Sequence, residues 1–138
     1  MKKIQLMSLM TIAAGLLLSG ASLLAHHSES AQFDVTKPVD VMGTVKKVEW
    51  MNPHIWFYVD VKDQAGAVTT WGFSGLPPGM AVRKGFTKDT LKIGETIVVQ
   101  GFRAKDGSNN ASGLSVTFSD GRQVFPGALE VGTIPTTK

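Results

Sequence analysis

The chain contains no cysteine, which excludes disulfides, thiolate metal centres and a lipid-modified N-terminal cysteine. Imidazole is almost as scarce: His26, His27 and His54 are the whole supply. Basic runs stop at two residues, as in Lys46-Lys47 and Arg83-Lys84, leaving little electrostatic footprint for a phosphate backbone. The long apolar stretch at residues 6–18 (LMSLMTIAAGLLL) is also short of the roughly 20 residues that a spanning helix needs.

What stands at the N-terminus reads as an export signal. Lys2 and Lys3 supply the positive start, residues 6–18 the apolar core, and Ser19, Gly20, Ala21 and Ser22 the small residues that precede cleavage. The signal peptide is expected over residues 1–25, with the cut after Ala21 or after Ala25. The first satisfies the small-residue rule better, and the second would make His26 the new N-terminus. The expected location is periplasmic or secreted, in a bacterium, with no membrane anchor after cleavage. Loss of Lys2 and Lys3 from the fourteen basic residues leaves twelve Lys+Arg against eleven Asp+Glu, so the formal charge of +3 falls to about +1. That near-neutrality argues against nucleic acid as a partner. About 110 mature residues suffice for one hydrophobic core and not for two.

Along the mature chain the hydrophobic period is two. Ile55, Phe57, Val59 and Val61 alternate with Trp56, Tyr58 and Asp60, as in a strand with one buried face. Residues 39–50 form a long first strand whose apolar phase slips between Val45 and Val48, which predicts a bulge near Lys46-Lys47 or a bend at Gly43. Further strands are expected at residues 68–73, 96–104 and 114–118, with a short hairpin over 119–122 returning the chain along 123–125. Pro77 and Pro78 open a short helix that Gly85 ends. Three strands, a helix and two strands give the expected fold class: mainly β, a small five-stranded Greek-key OB-like barrel with one short helix between strands 3 and 4. Its interior would hold Ile55, Phe57, Val59, Leu114, Val116 and Phe118. A small β-sandwich is the alternative. The domain is expected over 39–125, preceded by an N-terminal arm at 26–38 and followed by a flexible tail at 126–138.

Several segments together resemble a known family. Ala25-His26-His27-Ser28, Phe33-Asp34, Lys37-Pro38, Gly43-Thr44-Val45-Lys46-Lys47-Val48-Glu49-Trp50, Asn52-Pro53-His54 and residues 103–108 (RAKDGS) are similar to an uncharacterised family of exported bacterial proteins, classed as a domain of unknown function. The resemblance covers essentially the whole mature chain. It implies a small periplasmic β domain and no activity, substrate or cofactor.

Two candidate sites follow from the residues themselves. His26, His27 and His54 form one, a transition-metal site for which copper is the candidate cofactor, since imidazole and a free N-terminal amine suit that ion. The arm could reach His54 by turning at Lys37-Pro38 and running back beside the first strand, ten steps of about 3.3 Å each. The bland alternative is a solvated arm and a turn histidine. The second site is a ligand face built from Trp56, Tyr58 and Trp71, flanked by Asp106, Asn109 and Asn110 in the loop between strands four and five. Barrels of this kind bind on the face of strands two and three. Asp60 and Asp63 sit at a strand end and do not make a catalytic pair. No serine, histidine and acid can be grouped either. An enzyme is thus not expected. An unidentified protein or small ligand is the expected partner.

Overall fold

The computed structural model describes residues 31–124, 126 and 127. Among the described residues six strands and one short helix follow in the order β1 (Phe33–Glu49), β2 (Trp56–Lys62), β3 (Val68–Ser74), α1 (Pro78–Arg83), β4 (Thr96–Ala104), β5 (Asn110–Phe118) and β6 (Gln123–Val124). The protein is mainly β, with its helix between β3 and β4 as the two prolines require. Pro77 takes the N-cap position and Pro78 the first turn, where a missing N–H costs nothing. Gly85 follows with φ of 81°, a left-handed conformation that ends the helix.

All strands belong to one sheet of order β3-β2-β1-β4-β5-β6, antiparallel between neighbours. A further pairing closes the order on itself. β3 meets β5 in parallel through Gly72↔Asn110, Phe73↔Ala111 and Ser74↔Ser112, so five strands form a ring. β1 serves both sides of that ring. Phe33 and residues 38–44 pair with β4, with an irregularity over residues 34–37, and residues 44–49 pair with β2, Thr44 being shared. At the handover a Cβ on Gly43 would stand 2.5 Å from the Asp60 carbonyl oxygen, so glycine is what lets β1 and β2 approach.

Three sequence expectations are corrected by this pairing. β1 begins at Phe33 and runs through Pro38, so the chain does not turn back at Lys37-Pro38. Its early residues are polar because residues 34–37 bulge out of the pairing with β4 and residues 38–40 have β4 as their one neighbouring strand, positions where Lys37, Pro38 and Asp40 are tolerated. β5 begins at Asn110 instead of residue 114, its first residues being too small to show an apolar alternation. Finally, Pro126 is buried and its carbonyl accepts the Leu76 N–H at 2.6 Å, which docks the start of the expected tail beside the end of β3.

The interior follows the period-two reading. Val45, Ile55, Phe57, Val59, Phe73, Ile97, Val99, Val116 and Phe118 make one buried cluster, which Leu76, Ala81, Phe86 and Leu91 close from the helix side. Phe57 and Phe73, cross-strand partners, stack at 5.3 Å between ring centroids. Leu114 is buried too, but in a second cluster with Phe33, Phe102 and Ala104, against which Trp56 packs. The cause is the irregularity between Gln100 and Gly101, which breaks the alternation of β5 near Leu114.

Candidate functional site

The slip at the end of β1 builds the site. Val45 pairs with Val59 and Lys47 with Tyr58, so Lys46 is the extra residue of a β-bulge. Val45 and Val48 both turn inward, and two successive lysines stand on the outer face together. Without the bulge one of them would point into the core.

Each lysine meets a carboxylate from the same face. Lys46 Nζ donates to Asp60 Oδ1 at 3.2 Å and to Thr70 Oγ1 at 3.1 Å, while the Thr70 hydroxyl donates to Asp60 Oδ1 at 2.5 Å. Lys47 bonds Glu49 Oε1 and lies over the Tyr58 ring, 5.7 Å from its centroid. The Tyr58 hydroxyl donates to Glu49 Oε2 at 2.9 Å. These contacts set the acidities. The Thr70 hydroxyl, and then Lys46, holds Asp60 below the usual carboxylate range. Lys47, and then Tyr58, does the same for Glu49. Burial pushes the Tyr58 phenol up, and its bond to Glu49 adds to the rise. A groove of about 550 Å³ opens between Lys46, Lys47, Tyr58 and Thr70.

Aromatic surface adjoins this groove. Trp56 and Tyr58 are half-buried, with centroids 6.4 Å apart and ring planes 24° from parallel. Both rings lean over Gly72, the cross-strand partner of Tyr58. A Cβ there would lie 3.3 Å from Tyr58 Cε1, 3.5 Å from Trp56 Cζ3 and 2.5 Å from Asn110 Oδ1. Gly72 is therefore the floor on which the rings and the Asn110 amide rest.

The structure brings some of the expected residues together and separates others. Trp56, Tyr58 and Asn110 share the outer face around Gly72. Trp71 does not: it pairs with Val59 and lies 6.3 Å from Phe73, in the inner row, with the Arg103 guanidinium 5.6 Å from its ring centroid. Asp106 is spent on its own turn, its Oδ1 accepting the Ser108 N–H at 2.9 Å, and Asn109 contributes a carbonyl to the Gly72 N–H at 2.9 Å. His54 Nδ1 is 2.9 Å from the Gly75 carbonyl oxygen, which orients the ring in the connection between β1 and β2. His26 and His27 lie outside the described residues, and among those described no three His, Cys, Asp or Glu side chains group as metal ligands. Asp60 and Asp63 are separate, as expected, since Asp63 Oδ1 accepts the Ala65 and Ala67 N–H groups in the hairpin turn.

Sequence reasoning missed Lys46, Lys47, Glu49 and Thr70. The signal was present in the slipped phase of Val45-Lys46-Lys47-Val48, which predicts the bulge and, with it, two lysines on one face. Among the described residues no helix is long and apolar enough to cross a membrane.

No curated protein and no solved structure matches the chain. The match that exists is to a protein family, described as Family of unknown function (DUF6152), over residues 14–115, and the chain belongs to that family.

Proposed function

We propose that this family member is an exported, non-enzymatic binding module that takes its ligand on the outer face of β1, β2 and β3. The observation that carries the proposal is the arrangement around Gly72. Two half-exposed rings are laid over a glycine, and one of them, Tyr58, lines a groove whose polar groups are already oriented by one another. Side chains held in place before contact lose less freedom on binding, which favours a preformed recognition surface. Export is supported by the signal-like residues 1–25.

The scaffold proposed for this face is a Greek-key OB-like barrel. Its support is the ring of pairings and their stagger. Followed once around, the partners Glu49, Trp56, Ser74, Ser112, Phe102 and Pro38 return to β1 eleven positions before the start. One of those positions is the bulge residue, and a stagger of about ten over five strands is the offset that tilted, closed strands require. On such a scaffold strands two and three, with the loops beside them, are the binding face.

Lysine footprinting tests the proposal without knowledge of the ligand. An amine acylating reagent is applied to the protein in the envelope fluid of its host and to the purified protein, and modified sites are read by mass spectrometry. Lys46 and Lys47 should be protected in the fluid relative to the purified state, while Lys88 and Lys92 react equally in both. Equal modification of all four would remove the support for this face.

A further inference from the structure

We infer that the groove takes a neutral oligosaccharide, an assignment that rests on the binding face proposed above and narrows its ligand. The first argument is charge. Lys46 and Lys47, the two lysines that line the groove, are each matched by one carboxylate, Asp60 and Glu49. An anionic ligand that used the lysine donors left over would lie beside both carboxylates. A hydroxyl-bearing ligand leaves both pairs intact.

The second argument is the pattern of groups left over. An ammonium has three donors. Lys46 commits two of them, to Asp60 and Thr70, and Lys47 commits one, to Glu49, so three N–H groups remain at the rim of the groove. Beside them stand acceptors: the second oxygen of Asp60 and the phenolic oxygen of Tyr58, whose proton is given to Glu49. Asn110, resting on Gly72, brings an amide with both kinds of group. A sugar hydroxyl is itself both donor and acceptor, and adjacent hydroxyls on a pyranose match such a mixed array, whereas a phosphate is acceptor only.

The third argument is the rings. A pyranose has an apolar face of C–H groups, and it gains contact by lying on an aromatic face. Trp56, whose ring is half exposed, and the part of the Tyr58 ring that Lys47 leaves open stand 6.4 Å apart with planes 24° from parallel, in line along β2. That line gives successive sugar units successive platforms, with the hydroxyl edge toward Lys46, Lys47 and Thr70.

Calorimetric titration of the purified full-length protein decides the matter, with cellohexaose, maltohexaose and chitohexaose as neutral probes and polygalacturonate and a single-stranded oligothymidylate as anionic ones. At least one neutral hexaose should bind, and Tyr58→Ala should weaken it about tenfold through loss of a stacking face. Thr70→Val, a milder change that leaves both rings, should weaken it less, and Met80→Ala on α1 should leave it unchanged. Binding of the anionic probes alone, abolished by Tyr58→Ala, would overturn the neutral saccharide while the face survived. Failure of every neutral probe, or neutral binding indifferent to Tyr58 and Thr70, would also overturn it. The lysine footprint, which uses no added ligand, then reports on the face separately.

Discussion

Pairing alanine at position 113 with leucine at position 57 tests whether the ring closes as described. Gly113 of β5 faces Phe57 of β2 across the interior: a Cβ added there would stand 3.1 Å from Phe57 Cζ, 3.3 Å from its Cε1 and 3.4 Å from the Phe73 Cβ. Gly113→Ala alone therefore overpacks a filled core, at a cost of about 1–3 kcal/mol. Phe57→Leu alone removes three buried ring carbons at roughly 0.8 kcal/mol each, or about 2 kcal/mol, together with part of the stacked contact to Phe73. In the double variant the two closest obstructing atoms are gone and the new methyl enters the vacated space. The costs should then fall short of additive by about 1–2 kcal/mol, within the range seen for residues in contact. Urea unfolding of the four proteins measures this, and each kcal/mol also appears as a shift of about 4–8 °C in Tm for a domain near this size. Additivity within about 0.5 kcal/mol would mean that Gly113 does not face Phe57 and that β5 is not the strand closing the ring.

Other outcomes follow from the same geometry. Val116→Asp should abolish the cooperative thermal transition, because it places an unpaired charge among Val99, Ile97 and Phe118; a melt near the wild-type midpoint would refute the interior assignment. Tyr58 is the sole tyrosine, so tyrosinate absorbance reads it alone, and it should titrate above the ordinary value of about 10. Glu49→Gln should lower that midpoint only part-way, since burial is the larger cause. The raised phenol stabilises the fold below its ordinary pKa and ceases to as pH rises through the folded value. Glu49 and Asp60, both held low, act in the opposite direction: their contribution is present above about pH 4 and is lost as pH falls through the lowered values. Tm measured against pH should therefore drop less steeply in acid for Glu49→Gln with Asp60→Asn than for wild type.

Much of the ring was legible because a half-buried strand advertises itself. The alternation from Ile55 to Val61 placed β2 and its inner row, and the two prolines placed α1 between β3 and β4. β5 was legible only from Leu114 onward, since Ala111, Ser112 and Gly113 are small where Phe57 and Phe73 fill the space, and small residues carry no hydrophobic period. The first turns of β1 were hidden for a different reason. Asp34, Thr36 and Lys37 bulge out of the pairing with β4, and Asp40 pairs there through its backbone, so none of them needs to be apolar and the stretch resembles a solvated arm. In the site, the parity of β2 placed Trp56 and Tyr58 on one face correctly. Trp71 required the register: once Phe57 pairs with Phe73, Trp71 must pair with Val59 in the inner row. The slipped phase around Lys46 and Lys47 announced a bulge, and the partner strand shows which carboxylates and which ring the two lysines meet on the outer face.

Filling the floor of the site and mapping the consequence is the most direct test of that face. Amide chemical shifts of the isotope-labelled protein, recorded with and without unlabelled envelope fluid from its host, report where any constituent lands, and Gly72→Val reports whether the rings are needed. Wild type should show its changes within residues 44–49, 56–62 and 68–74, and Gly72→Val, whose side chain pushes against Trp56, Tyr58 and Asn110, should lose them while keeping a folded spectrum. Changes concentrated on α1 and residues 84–95, or changes on β1 to β3 that Gly72→Val leaves intact, would contradict the account.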